Sequence, residues 1–242
     1  MPPHHENTIS CGGSPARVFT GRSLRRNNTA LARTPAKPIL RVLPPPGEIG
    51  LGDVLAGDID TSTALSVFPR EHTLKGMFFS RFVKELGAEW PRIERRLIAP
   101  PRLGTYLPFA DYPLVDHADI ALVVARKRAP GLPHREALRR LARQDIGTFL
   151  DSTIGRVTAA VVSSPRAALL ALPDAYKRVV TGPTLRASAL ADDRIRLSFV
   201  SAFGLWEYQI GQIEGIVRHY GGQPRTRCSL EADGVRAYDV SW

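Results

Sequence analysis

Four consecutive stretches decide the fold: RIRLSFV (194–200), LWEYQIGQIEGIVRHY (205–220), RTRCSL (225–230) and VRAYDVSW (235–242). In the first, Ile195, Leu197 and Phe199 alternate with polar residues, the period of a strand with one buried face. In the second, Trp206, Ile210, Ile213, Ile216 or Val217, and Tyr220 recur at three- and four-residue spacing, the period of an amphipathic helix. Gly221-Gly222 stops that helix. The last two are short strands across a turn at 231–234, with Tyr238, Val240 and Trp242 sharing a face. Strand, helix, strand, strand with almost no slack predicts a compact α+β domain. Gly211 and Gly215, four residues apart, suit close packing of the helix against the sheet.

Upstream the pattern is helical. A helix is expected over 73–86, with Thr73 as N-cap, Leu74, Met77, Phe78, Phe82 and Leu86 inward, and Arg81, Lys84 and Glu85 outward. A short helix at 91–97 is cut off by Pro100-Pro101. A third, over 113–125, carries Leu114, Ala118, Ala121 and Val124 on one side. A fourth, over 135–151, buries Leu138, Leu141, Ala142, Ile146 and Phe149 and turns Arg135, Arg139, Arg140 and Arg143 to the opposite face. Small and apolar residues follow over 154–162. Ser164-Pro165 then opens a further helix reaching 180, which Pro173 should kink or split and Thr181-Gly182-Pro183 should end.

Residues 1–62 read differently. Pro35, Pro38 and Pro44-Pro45-Pro46 interrupt a stretch without helical or strand period, so 1–62 is expected to be a disordered basic and Pro-rich extension and 63–242 a single domain. Seven basic and no acidic residues lie in 17–41, an arm that could meet RNA, DNA or an acidic partner. The whole chain carries a formal charge of +10 and a pI near 10.2. Its 33 basic residues are 28 Arg and five Lys, a skew that a GC-rich genome writes whatever the partner.

Composition and motifs exclude several classes. Cys11 and Cys228 are far apart, which rules against a disulfide scaffold and a CxxC metal or redox pair and fits a reducing cytoplasm. Neither an 18-residue apolar run nor a signal-peptide apolar region is present. GxSxG, P-loop and GxGxxG patterns are missing, so nucleotide hydrolysis and dinucleotide binding are not expected. His117, flanked by Asp116 and Asp119 at non-converging spacing, reads as solvated helix surface, and His219 as a cation at a helix C-terminus. Glu207 and Glu214 read as exposed carboxylates. Large amphipathic side chains that open the 205–220 helix (Trp206, Tyr208) and close the sheet (Tyr238, Trp242) are the candidate ligand-binding residues. No catalytic or metal-binding set and no cofactor is expected.

With these segments in place, the chain resembles a family of uncharacterised proteins of roughly 200 residues found chiefly in myxobacteria. The residues that carry the likeness are Leu74-Lys75-Gly76-Met77-Phe78-Phe79, Asp111-Tyr112-Pro113-Leu114, Glu136-Ala137-Leu138-Arg139-Arg140-Leu141, Thr153-Ile154-Gly155-Arg156-Val157, Gly211-Gln212-Ile213-Glu214-Gly215 and Ala237-Tyr238-Asp239-Val240-Ser241-Trp242. That family is distantly similar to small-molecule-binding domains of the 4-vinyl-reductase and haem nitric-oxide-binding type. The resemblance implies a helical layer packed on a small antiparallel sheet, with a pocket between the 205–220 helix and the final strands.

Three functional expectations follow. The first is a non-enzymatic cytoplasmic sensory or regulatory module that binds a small apolar ligand or a partner protein. The second is nucleic-acid binding, with Arg135, Arg139 and Arg143 as a helical ridge that tracks phosphates and 17–41 as an arm. The third, resting on the resemblance, is an enzyme acting on a tetrapyrrole-like substrate.

Overall fold

A computed structural model of the chain describes residues 47–242 apart from 103, 161, 202, 203 and 232. The basic segment at 17–41 and the Pro44-Pro45-Pro46 run lie outside the described residues. The fold is α+β. Its main sheet is antiparallel throughout and has the order β1-β7-β8-β6-β5, where β1 is Gly47–Ile49, β5 Thr184–Ala191, β6 Arg194–Val200, β7 Arg225–Leu230 and β8 Arg236–Ser241. The register aligns Ala187 with Leu197, Leu197 with Tyr238, and Tyr238 with Cys228. That row, and the neighbouring row of Ile195, Val240 and Thr226, forms a buried face, as the period of two requires.

Helices cover that face. Over it lie α8 (Pro165–Val179) and α9 (Trp206–His219), which share a core with Leu185, Ile195, Leu197, Phe199, Tyr238 and Val240. A second apolar cluster is built around α5 (Leu114–Arg128), against which α3 (Ser80–Leu86), α4 (Trp90–Glu94) and the N-terminal half of α6 (His134–Asp151) pack. Shorter helices α1 (Leu51–Leu55), α2 (Thr61–Ser66) and α7 (Thr153–Ala160) complete the layer. A small antiparallel sheet, β3-β2-β4, ties Asp111–Pro113 and Val180–Thr181 to Thr73–Lys75.

Several elements differ from the sequence expectation, each for a visible reason. Thr73 does not cap a helix: 73–75 is strand β2, paired to β3 through Leu74↔Tyr112, and a 3-10 turn follows at Gly76–Phe78 before α3 begins. At Gly76 an added Cβ would lie 2.3 Å from the Leu107 carbonyl oxygen, so chain crossing, not helix period, governs this point. Phe82 and Leu86 are inward as expected, about one helical turn apart on α3. Helix α8 is continuous through Pro173 and does not split. Strand β5 has no counterpart in the sequence reading. Its TLRASALA sequence is mostly small and exposed, an edge strand joined to β6 by the two residues Asp192-Asp193.

The ordered architecture also reaches upstream of 63. Strand β1 pairs with β7 through Ile49↔Cys228, and Val54 and Ile59 are buried. Burial of two such side chains stabilises by about 1.5–3 kcal/mol each. A chain beginning at 63 should therefore melt well below one beginning at 47, whereas removal of 1–46 should leave the melting temperature nearly unchanged. Equal melting of the two truncated chains would place the domain boundary at 63.

Two glycines on α9 are packed differently from the expectation. A Cβ on Gly211 would stand 2.1 Å from the Arg139 carbonyl oxygen, and one on Gly215 2.7 Å from that of Arg143. The close partner is thus α6, a helix, and not the sheet. Overpacking of this kind costs about 1–3 kcal/mol. Gly211→Ala should lose at least that much in urea unfolding, and Gly147→Ala, where a Cβ meets nothing within 4 Å, should gain about 0.5–1 kcal/mol.

Candidate functional site

Where the two apolar clusters meet, they leave a cavity of about 150 Å³. Its walls come from α3, α5, α6, α8 and α9, with Phe199 of β6 as a contribution of the main sheet. Rings dominate the lining: Phe68, Phe78, Phe82, Phe149, Tyr176 and Phe199. Stacking of Phe78 on Phe149 (centroids 6.1 Å apart) and the edge-on contact of Tyr176 with Phe199 (5.7 Å) hold four of them in place. The pocket is not between α9 and the final strands, as the resemblance implied: no residue of β7 or β8 lines it, and Tyr238 and Val240 are buried in the core there.

His117 lines this cavity and is buried, which corrects its reading as solvated surface. Its acidic neighbours are occupied elsewhere. The Asp116 carboxylate accepts the Ile98 and Ala99 backbone N–H groups at 2.9 Å each, and Asp119 binds the Arg96 guanidinium through two contacts of 2.6 Å. His117 therefore faces inward, among the rings of Phe79, Phe82 and Tyr208 at centroid distances of 5.2, 5.3 and 5.7 Å. Burial pushes its pKa down to about 3, so the imidazole is neutral. The sequence held the signal: His117 lies three residues after Leu114 and four before Ala121, on the stripe that the periodicity marked as buried.

A polar relay stands beside it. Tyr208 donates its hydroxyl to Asp145 Oδ2 at 2.8 Å, and Arg81 Nη1 lies 3.6 Å from Asp145 Oδ1. Burial raises the Asp145 pKa to about 6, with the Tyr208 hydrogen bond and the charges of Arg81 and Arg128 opposing the rise. The Arg81 side chain is 36% exposed, so this side of the lining is the one that meets solvent.

Of the four aromatics singled out in the sequence, Tyr208 lines the cavity and the other three do not. Trp206 stacks beneath the Arg236 guanidinium, 4.6 Å from the ring centroid. Tyr238 is fully buried in the sheet core and donates to Gln209 Oε1. Trp242 packs beside Gly222 at the margin of the core above the main sheet. Among the polar lining residues, sequence reasoning put His117 on the solvated surface and did not single out Asp145, Tyr176, Gln209 or Gln212.

The arginine ridge is turned inward as well. Arg135 pairs with Glu207, while Arg139 and Arg143 both bind Glu214, the former through contacts of 2.5 and 3.0 Å and the latter through 2.7 and 3.2 Å. Glu136 adds a second carboxylate to Arg139 at 3.0 Å. Both Glu207 and Glu214 are buried, contrary to the expectation that they are exposed. The reason is the α6–α9 contact: with two glycines on α9, the helices approach closely enough for guanidinium groups on one to reach carboxylates on the other.

In fold the chain is similar to H-NOX proteins. Solved relatives include an oxygen-binding H-NOX domain related to soluble guanylate cyclases (22% identity, 69% of this chain and 93% of that one, TM-score 0.51). Two more are an H-NOX protein from S. oneidensis in the Fe(II) state (12%, 69% and 95%, TM-score 0.55) and one from K. algicida in the unliganded Fe(II) state (13%, 69% and 96%, TM-score 0.52). No curated protein is similar to this chain in sequence. Residues 68–242 match the family described as "Protein of unknown function (DUF2378)", and the chain belongs to that family. Among the described residues, no helix is long and apolar enough to cross a membrane, and no cluster of three or more His, Cys, Asp or Glu side chains is placed to hold a metal.

Two outcomes test this electrostatic arrangement. Glu214→Gln should destabilise the domain by about 2–4 kcal/mol in urea unfolding, because Arg143 loses its carboxylate and Arg139 loses one of its two. For Asp145, the folded pKa lies above the unfolded one, so the native state binds the proton more tightly. The stability it confers is present below about pH 4 and is lost as pH rises through 6, by on the order of 2–3 kcal/mol. Asp145→Asn should remove that component, so that the stability difference between wild type and variant falls between pH 4 and 6.5 and is flat above.

Proposed function

We propose that this chain is a non-enzymatic sensory or regulatory module whose cavity takes a small apolar ligand. The observation that carries the reading is the cavity itself: a ring-lined space of about 150 Å³ between two cores, beside a neutral buried imidazole. An engineered cavity of about this volume binds benzene. A partner protein that reads the ligated state and a cytoplasmic setting belong to the same proposal, the latter supported by the free, buried Cys228 thiol.

Haem is the group to test first, given the H-NOX likeness. The residues present do not fit it. A tetrapyrrole plate is several times the size of benzene, and the aromatic rings that line the cavity occupy the space it would need. His117, the imidazole at the cavity, stands among the rings of Phe79, Phe82 and Tyr208, which leave no room beside it for a plate of that size. Arg81, a cation that could meet a propionate, is already beside Asp145. The same size argument weighs against catalysis on a tetrapyrrole-like substrate. Nucleic-acid binding through Arg135, Arg139 and Arg143 is disfavoured because buried carboxylates already neutralise these guanidiniums.

A thermal-shift panel of small apolar compounds tests the reading. A ligand at 100 times its dissociation constant should stabilise the domain by about 2.7 kcal/mol. Ala121→Leu, which fills the cavity from α5, should leave a folded protein that no longer responds. Absence of any shift across the panel, or an undiminished shift in the filled variant, would sink the proposal.

A further inference from the structure

We infer that the ligand carries one uncharged hydrogen-bonding group, a hydroxyl or carbonyl on a small apolar body, and that His117 is the side chain that reads it. The inference rests on the apolar-ligand reading and adds the chemistry of the recognised group. It starts from an accounting of the polar side chains around the cavity. Tyr208 donates to Asp145 Oδ2, Arg81 lies at ion-pair distance from Asp145 Oδ1, which accepts no hydrogen bond from a described residue, and Gln209 accepts from Tyr238. His117, Tyr176 and Gln212 stand apart: each lines the cavity and none makes a hydrogen bond to any described residue, while His117 and Tyr176 are also held by ring contacts.

His117 is only 5% exposed and borders the cavity, so its hydrogen-bond partner is whatever the cavity holds. Buried polar groups are nearly always hydrogen-bonded, because an unmatched one costs about 1–3 kcal/mol. A group held unmatched against a cavity is matched by what enters the cavity. A neutral imidazole offers one donor nitrogen and one acceptor nitrogen, which suits an alcohol, a phenol or a carbonyl. The Tyr176 hydroxyl adds a second donor and acceptor, and burial keeps it protonated by raising its pKa.

Anionic ligands are selected against by the same surroundings. A carboxylate entering this apolar space needs a cation, and Arg81 is held by Asp145 at the solvent side. His117 does not supply a positive charge, since its desolvation holds it neutral over the physiological range. A site whose polar group is matched by the ligand discriminates strongly against an analogue that lacks the matching atom.

Three probes of similar size separate the possibilities: phenol, benzene and benzoate, titrated at pH 7 against the full chain by calorimetry and thermal shift. Phenol should bind roughly tenfold more tightly than benzene, and benzoate should produce no shift. In His117→Leu the phenol-to-benzene preference should fall to about one while benzene still binds. In Tyr176→Phe, which removes one hydroxyl and changes no ring, it should fall by a smaller factor. Equal affinity of the wild-type protein for phenol and benzene overturns this inference and leaves the apolar-ligand reading standing, as does an undiminished preference in His117→Leu. Tighter binding of benzoate than of phenol also overturns it. Failure of all three probes to bind sinks both readings together. Should His117→Leu not fold, the wild-type ratio and Tyr176→Phe still decide.

Discussion

The close approach of α9 to α6 is the constraint on which the rest of the structure depends. Contacts advance together along both helices, from Arg135 with Glu207 to Arg139 beside Gly211 and Arg143 beside Gly215, so the two run in the same direction in a fixed register. Glycine at 211 and 215 removes the side chains that would hold the axes apart, and the space gained is what lets Glu207 and Glu214 be buried without being stranded. Burial of an unpaired carboxylate is expensive, and the three arginines offset that expense. The pairing also specifies: a slip of one residue along either helix would part every guanidinium from its carboxylate.

With that face of α9 committed, its remaining surface is divided between two neighbours. Ile210 and Val217 enter the core above the main sheet, Tyr208 and Gln212 turn toward the cavity, and Ile213 and Ile216 border both. The helix is thus covered nearly all round, which explains why Glu207 and Glu214 are buried on a helix whose composition reads as amphipathic. The cavity exists because α9 is pinned by α6 and cannot relax toward α3 and α5. It is bounded on that far side by Phe82, His117 and Ala121, which belong to the other core.

The C-terminal quarter was legible because its periodicities are strong and local. Strand β6, helix α9 and the β7–β8 hairpin were readable from alternation, three- and four-residue spacing and terminating glycines. Helices α5 and α6 were readable for the same reason, to within a few residues at their ends. What escaped depended on partners far along the chain. Thr73–Lys75 is a strand because β3 and β4 lie beside it, and no property of those three residues announces that. The inward turn of Arg135, Arg139 and Arg143 needed knowledge of two carboxylates some 70 positions away. His117 is the instructive intermediate case. Its neighbours in sequence are acidic, which suggests a solvated face, yet its phase on the helix places it with Leu114 and Ala121, and phase prevailed because helical geometry decides which way a side chain points.

The contrast with H-NOX proteins is best located at the level of side chains. A likeness of fold at 12–22% identity preserves the arrangement of helices over a sheet and says little about what the interior holds. Here the interior space is set by the rings that project into it, and each large ring removes volume while adding a rigid, mostly apolar surface. Phe78 with Phe149, and Tyr176 with Phe199, brace one another in pairs, so neither member of a pair can swing aside without leaving its partner exposed. A cavity walled in this way is small and resists enlargement, because opening it would break two packed pairs at once. The backbone therefore fixes where the cavity lies, and the paired aromatics fix how large it is. The polar chemistry at the cavity falls to the few lining side chains that packing has left unmatched.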